Sequence, residues 1–189
     1  RLAGAHNLMN LLAAGLALAR YGVKPEVIAR SLGEFPGVEH RLELFHEAGG
    51  VRYFDDSTAT MPHAAAAALE ALPSPVVLVA GGADKGLDCA PLAGAARRAA
   101  GVVLLAGTAT SKLLPLLDAA GTAYDGPFDA LDPAVARAIE LARGLRDNGP
   151  ADRPVSVVLS PGCASFGMFQ NEFDRGRRFK ESVARLART

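Results

Sequence analysis

Three unbroken apolar runs decide most of what this chain can fold into. VVLVAGG (76–82), GVVLLAG (101–107) and SVVLSPG (156–162) are short, rich in β-branched valine, and each closes on glycine. A strand that is apolar on both faces has to be covered on both faces, which is the situation of an inner strand in a parallel sheet. The segments around them supply the cover. Residues 62–72 (PHAAAAALEAL), 90–100, 109–120 and about 132–146 carry helical spacing, and Pro62 sits where a helix start tolerates proline. Strand and helix in alternation predict an α/β fold with a mostly parallel sheet and helices on both faces. Half of the 189 residues are hydrophobic but only 6% are aromatic, so the core must be built from Ala, Val and Leu. Such surface stabilises at roughly 25 cal/mol per Å² buried, and the length suits one α/β domain plus a short extra segment.

The flanks complete the expectation. RLELFHE (41–47) and VRYFD (51–55) read as strands joined in a hairpin through Gly49-Gly50, giving the sheet an antiparallel edge. TAY (122–124) reads as a short strand, for a total of about six, and 147–154 as a loop. The last helix is expected over 171–188, its alternating charges forming a solvated face. At the other end, 5–21 reads as a helix stopped by Gly22, and a second short helix starts near Pro25 and ends near Gly33. Phe35-Pro36-Gly37 is a turn signal, so two units are expected: a helical one over 1–36 and the α/β domain over 37–189. With no initiating Met and no signal peptide at Arg1, the chain reads as a segment of a longer protein.

Composition removes several function classes. Twenty basic residues balance twenty acidic ones, which argues against bulk binding to nucleic acid or to an anionic membrane. No apolar run reaches the ~18 residues of a membrane span. Cys89 and Cys163 have no metal-binding spacing, and a reducing cytoplasm suits them.

In open α/β sheets, ligands bind beyond the carboxyl ends of the strands. That rule selects DDSTAT (55–60), GGADKG (81–86), Ala106-Gly107-Thr108 and SPGCAS (160–165), which are expected to converge on one edge. GGADKG has neither the dinucleotide fingerprint nor the phosphate-loop pattern. Its glycines allow close backbone approach, and Lys85 offers a charge for a carboxylate or phosphate; the plainer alternative is a tight turn with a solvated lysine. Ser57, Thr58 and Thr60 suit a helix cap, and the same geometry makes an anion pocket. Asp56 could take a ribose hydroxyl or a cation. SPGCASF lacks a nucleophile elbow, so Ser165 reads as a carboxylate ligand and Cys163 as an apolar filler. His40-Arg41 could stack on or pair with a nucleotide, while His40, His46 and His63 read otherwise as surface or structural, with no clustered metal ligands.

Taken in order, these segments resemble the Mur ligases of the glutamate-adding, MurD type. Gly4 to Ala14 resembles G-x-H-N-x-x-N-x-x-A-A; Gly37 to Glu43 resembles G-x-x-H-R-x-E; Asp56 to Thr60 resembles D-S-K-A-T; Gly81 to Lys85 resembles G-G-x-x-K; Ser160 to Ser165 resembles S-P-x-x-A-S; and Asn171 to Phe179 resembles F-E-x-R-G-x-x-F. The resemblance implies the end of a central ATP-binding domain (1–36) followed by a Rossmann-like C-terminal domain. It also implies ATP-dependent addition of glutamate to UDP-N-acetylmuramoyl-L-alanine through an acyl phosphate, in cytoplasmic peptidoglycan precursor synthesis. Asn7, Asn10, Arg41 and Asp56 would then bind the adenosine part of ATP. Lys85, Thr60 and Ser165 would bind the glutamate carboxylates, with Thr58 at the same site and Phe166 lining it. The phosphate loop, the Mg²⁺ ligands and the carbamylated lysine would lie in N-terminal and central domains outside the chain, leaving it no catalytic residue and no metal of its own. Two positions depart from the family: Thr58 stands where its lysine is expected, and Glu172 where an aromatic is usual. Both bear on the amino acid rather than on ATP. Other ligases of the superfamily, including folylpolyglutamate synthases, and a non-catalytic Rossmann-type nucleotide-binding module are the alternative readings.

Overall fold

The computed structural model describes residues 4–73, 75–150 and 153–187. The expected helix end at Arg188, and residues 151–152 of the expected loop, lie outside them. Thirteen elements follow in chain order: α1 (Ala5–Arg20), α2 (Pro25–Glu34), β1 (Glu43–Ala48), β2 (Val51–Asp55), α3 (Pro62–Ala71), β3 (Val76–Ala80), α4 (Ala90–Ala96), β4 (Gly101–Leu105), α5 (Thr108–Ala119), β5 (Asp125–Phe128), α6 (Leu131–Asp147), β6 (Val155–Leu159) and α7 (Glu172–Leu186).

The six strands form one sheet in the order β1-β2-β6-β3-β4-β5. Only the β1–β2 pair is antiparallel. Ala48 pairs with Val51 across Gly49 and Gly50, whose φ values of 55° and 78° are those of a two-residue hairpin turn that glycine adopts without steric penalty. The last strand, β6, enters the middle of the sheet. Side-chain alternation explains why the inner strands are apolar throughout. Val77 and Val79 of β3, with Val103, Leu105, Val157 and Leu159, face the layer of α6 and α7. Val76, Leu78 and Ala80, with Leu104 and Val158, face α3, α4 and α5. Alanines at the contact, Ala134, Ala138 and Ala142 of α6, let that helix lie close to the sheet.

Two expectations are corrected here. The edge strand is β5 at Asp125–Phe128 and not 122–124. Gly126-Pro127 resembles a turn in sequence, but an outer strand tolerates a residue without an N–H, and Val103 pairs with Asp125 and Leu105 with Phe128. The solvated face given to the last helix holds only in part, because Asp174, Arg175 and Ser182 of α7 are buried. Polar groups of other elements (Ser57, Cys163 and Asp132) draw in Arg175 and Ser182, and Asp174 is held by the Gln170 N–H and by Arg178 of its own helix; charge alternation registers none of this.

The fold buries two hydroxyl oxygens, those of Ser156 and Thr122, without a hydrogen-bond partner among the described residues. Ser156 of β6 is 1% exposed, and its Oγ has no hydrogen-bond partner among the described residues. A buried polar group left unpaired costs about 1–3 kcal/mol. Ser156→Ala is therefore expected to raise the denaturant midpoint of the chain, by about 1 kcal/mol at unchanged m. A fall in the midpoint would mean that the hydroxyl is satisfied in solution.

Candidate functional site

The strand order aligns the carboxyl ends of β2, β6, β3 and β4, so the four selected loops do meet on one edge. The connection after β3 runs to α4 on one face and that after β6 to α7 on the other. The crevice between these two strands is therefore the topological switch point. Backbone bonds tie the loops together: Asp56 N–H donates to Leu159 O (2.9 Å), Gly81 N–H to Pro161 O (3.0 Å) and Ala109 N–H to Gly82 O (3.0 Å). Ala83 and Ala164 exchange bonds in both directions, at 2.9 and 3.0 Å. Glycine is required at position 82, where φ is 141° and a Cβ would lie 2.5 Å from the Ala164 carbonyl oxygen.

Thr60 and Lys85 border one narrow cleft with Cys89, Gly162 and Cys163. Its volume of ≈ 10 Å³ admits about one water, so an amino acid must sit above it or part the loops. Lys85 is exposed and has no ion-pair partner among the described residues. Its neighbour Asp84 is fully engaged: it pairs with Lys112, Oδ1 accepts from Gly86 N–H (2.9 Å), and its own N–H donates to Thr108 Oγ1 (2.9 Å). Lys112 therefore holds Asp84 and leaves Lys85 free to meet an anion. On the β6 loop Ser165 is buried, and Phe166 beside it is 67% exposed. Burial pushes the Cys163 thiol up to about 12, which fits a filler and not a nucleophile. Thr58 lies apart from this cleft, since its hydroxyl donates to His40 O (2.8 Å) and so points toward the inter-unit segment.

A second place forms where the helical unit meets the sheet domain. Asn7, Asn10 and Arg41 line one groove of ≈ 360 Å³, walled by Leu11, Leu32, Phe35 and Val38. Apolar walls with a few amide and cationic groups suit a flat heteroaromatic ring. Arg41 reaches it from a constrained backbone: His40 (φ 61°) and Leu42 (φ 47°) on either side are both left-handed. Non-glycine residues hold that conformation only where their surroundings enforce it. Here His40 Nδ1 lies 2.6 Å from Asp55 Oδ2, His40 N–H donates to Glu43 Oε2 (2.9 Å), Thr58 N–H donates to His40 O (3.1 Å) and Leu42 N–H donates to Asp56 Oδ1 (3.0 Å). His40 is thus a buried support, and Arg41 alone of the pair lines the groove.

Asp56 is placed differently from its three companions. It is 6% exposed, with Oδ1 on the Leu42 N–H and Oδ2 accepting from Ser160 Oγ (2.6 Å). Burial above all, helped by the Asp55 charge, raises its carboxyl to about 7, against the opposing hydrogen bonds. A carboxyl whose folded pKa lies above its unfolded value contributes stability that is full below the unfolded pKa and is lost as pH rises through about 7. Asp56→Asn lacks that titration. Relative to wild type, the Asn variant is expected to gain about 1.4 kcal/mol per pH unit between pH 5 and 7. Denaturant melts at several pH values check it, and a difference independent of pH would refute the raised pKa.

Sequence reasoning missed the polar core behind these loops. Asp55, Glu43, Lys180 and Arg175 belong to it. Lys180 Nζ lies 2.7 Å from Glu43 Oε2, 3.3 Å from Glu39 Oε1 and 3.8 Å from Asp55 Oδ2. Among the described residues Glu39, His40 and Glu43 are the one group spaced to ligate a metal, and Lys180 already supplies a cation there. Gly176 was a readable signal: a glycine inside an amphipathic helix points to close approach by a neighbour.

The comparisons with known proteins agree with one another. The family described as "Mur ligase, glutamate ligase domain" matches residues 40–151. A UDP-N-acetylmuramoylalanine–D-glutamate ligase of Roseiflexus sp. (strain RS-1) is 50% identical over 186 residues, covering 97% of this chain and 38% of the relative. The enzyme of that name from Treponema pallidum is 46% identical over 156 residues, 82% of this chain and 28% of its own length. The chain thus spans well under half the length of these relatives. Among solved structures, the UDP-N-acetylmuramate-alanine ligase MurC of Thermotoga maritima superposes with a TM-score of 0.66 at 18% identity, over 97% of this chain and 39% of that one. The MurF ligase of the same organism, in complex with ADP, gives 0.61 at 15% identity, over 97% and 39%. These two show the fold.

Proposed function

This chain belongs to the Mur ligase family, and from that premise we propose that it is the C-terminal part of an ATP-dependent ligase that adds glutamate, in the D form, to UDP-N-acetylmuramoyl-L-alanine. The observation that carries the reading is the convergence of the Thr60, Lys85 and Ser165 loops at the switch point, in a chain whose curated relatives bear that activity in their names. A dicarboxylate amino acid needs what this edge offers: a free ammonium at Lys85, hydroxyls at Thr60 and Ser165, and an apolar wall at Phe166. The groove of Asn7, Asn10 and Arg41 suits the adenine end of ATP. Asp56 supports it from behind by holding the backbone beside Arg41.

In this reaction the γ-phosphate of ATP passes to the L-alanyl carboxylate, and the glutamate amine then attacks the acyl phosphate, releasing phosphate and forming the peptide bond. The residues of this chain bind and orient; positioning and charge neutralisation are the main contributions in such transfers. Mg²⁺ would be held with the triphosphate by the N-terminal and central domains, because the Glu39–His40–Glu43 group is neutralised by Lys180 and does not suit it. The proposed setting is cytoplasmic; no helix of the described residues is long and apolar enough to cross a membrane.

Phosphate release by the full-length protein tests this. It is expected only when ATP, UDP-N-acetylmuramoyl-L-alanine and D-glutamate are all present, and the isolated chain is expected to release none. Preference for another amino acid would redirect the reading within the family. Nucleotide binding with no amino-acid-dependent turnover would favour a binding module instead.

A further inference from the structure

Arg175, on the first turns of α7, is the largest fully buried side chain among the described residues, at 1% exposure. Burying a guanidinium is expensive unless its donors are satisfied and its charge has a purpose. Each nitrogen has a partner: Nε donates to Ser57 Oγ (2.9 Å), Nη2 to Ser57 O (2.8 Å) and Nη1 to Cys163 O (3.2 Å). Ser57 Oγ in turn donates to Glu172 O (2.7 Å), closing the link back to α7. All three acceptors are neutral oxygens. No carboxylate lies within ion-pair distance of Arg175 among the described residues, although Asp55 and Glu172 act on it from farther away. Burial lowers the guanidinium only to about 10, so it keeps its charge at neutral pH.

The acceptors belong to two different loops. Ser57 opens the loop that carries Thr60, and Cys163 lies two residues before Ser165 on the loop that carries Phe166. Strands β2 and β6 stop pairing at Asp55 and Leu159, and beyond that point the two loops depend on local ties such as Gly162 N–H to Ala59 O (2.8 Å). A planar fork suits this task, since it can address both loops in one fixed geometry where an ammonium addresses a single point.

We propose that Arg175 is a positioning residue for the carboxylate-binding cleft: from beneath, it sets the spacing between the Ser57–Thr60 and Cys163–Phe166 loops and adds an unneutralised positive charge under the place where an anionic amino acid docks. The inference rests on the proposed glutamate site. An anion bound above the loops meets that charge across a buried, weakly screened path. ATP, bound against Arg41, meets the first loop only through the Thr58 bonds to His40 O, which Arg175 does not touch.

The experiment is steady-state kinetics of the full-length enzyme with Arg175→Lys, which keeps the charge and loses the fork. The Michaelis constant for D-glutamate is expected to rise about tenfold while that for ATP stays within about twofold, since only interactions with the glutamate end are removed. Equal rises for both substrates, or no change for glutamate in a variant that melts like wild type, would overturn the proposal. Should Arg175→Lys fail to fold, Ser57→Ala removes the Nε acceptor and the Oγ bond to Glu172 O while keeping the two backbone acceptors of the fork. A selective rise of about threefold for glutamate supports the role, and an unchanged or unselective response rejects it. Wild type is the control that separates the two inferences: no glutamate-dependent turnover there would reject the proposed function itself.

Discussion

Lys85→Ala in the full-length enzyme is expected to lower kcat/KM for glutamate by about 30- to 5000-fold, the range for removing one partner of a charge pair that becomes desolvated. The loss should be large for structural reasons. Asp84 is the nearest acid in the loop, and it is consumed by Lys112, by the Gly86 N–H and by the turn at Thr108. Lys85 therefore carries no internal partner among the described residues, and its charge is available in full to a ligand. Of the other basic groups near these loops, Lys112 is paired with Asp84 and Arg175 is buried beneath. Thr58 cannot share the load, because its hydroxyl is turned to His40 O. Varying glutamate at saturating ATP decides the matter. If Lys85→Ala leaves the glutamate dependence unchanged, Lys85 is a turn residue and the amino acid docks elsewhere. Loss of ATP affinity instead would move Lys85 to the nucleotide.

Gly176→Ala is expected to destabilise the chain by about 3 kcal/mol, at the upper end of overpacking effects. A Cβ at position 176 would lie 2.3 Å from His40 Nδ1, 2.8 Å from His40 Cε1 and 2.7 Å from Asp55 Oδ2. None of these atoms can retreat easily. His40 and Asp55 are both buried and bonded to one another, and His40 sits in a left-handed conformation that its partners enforce. The methyl would push α7 from β2 or break the His40–Asp55 contact, which would also release the backbone that presents Arg41. Equilibrium denaturation measures the first effect. The second appears as a raised Michaelis constant for ATP in the full-length enzyme. A double variant with His40→Ala removes the ring that clashes, and the two changes should then be less than additive. Strict additivity, or a Gly176→Ala protein as stable as wild type, would mean that α7 adjusts at little cost.

How far the sequence could be read depended on the range of the interaction involved. Fold class, the hairpin at Gly49-Gly50 and the four strand-end loops follow from apolar periodicity and turn chemistry, which act within a few residues. Lys85, Thr60 and Ser165 could be selected because they stand at strand ends. The same local logic misplaced the edge strand, which was expected at 122–124 and lies at Asp125–Phe128 across the turn-like pair Gly126-Pro127, and it failed at α7, where Arg175 was counted with the solvent-facing charges.

What the sequence determined by itself is the material of the fold: inner strands apolar on both faces, alanine-rich helices that can lie close to them, and polar loops at the strand ends. The tertiary structure decided which of those polar groups stay open at the strand ends and which hold the frame. Asp56 and Thr58 look like ligands beside Thr60, yet they are spent on Leu42, Ser160 and His40. Arg175 is one of several basic residues in its helix, yet it alone is drawn under the cleft. The reason is physical: a polar side chain bonds whichever complementary group the packed chain brings within about 3 Å. For Ser57 and Arg175 that partner lies 118 residues away, so their bond exists only once β6 has entered the sheet between β2 and β3 and α7 has folded across it.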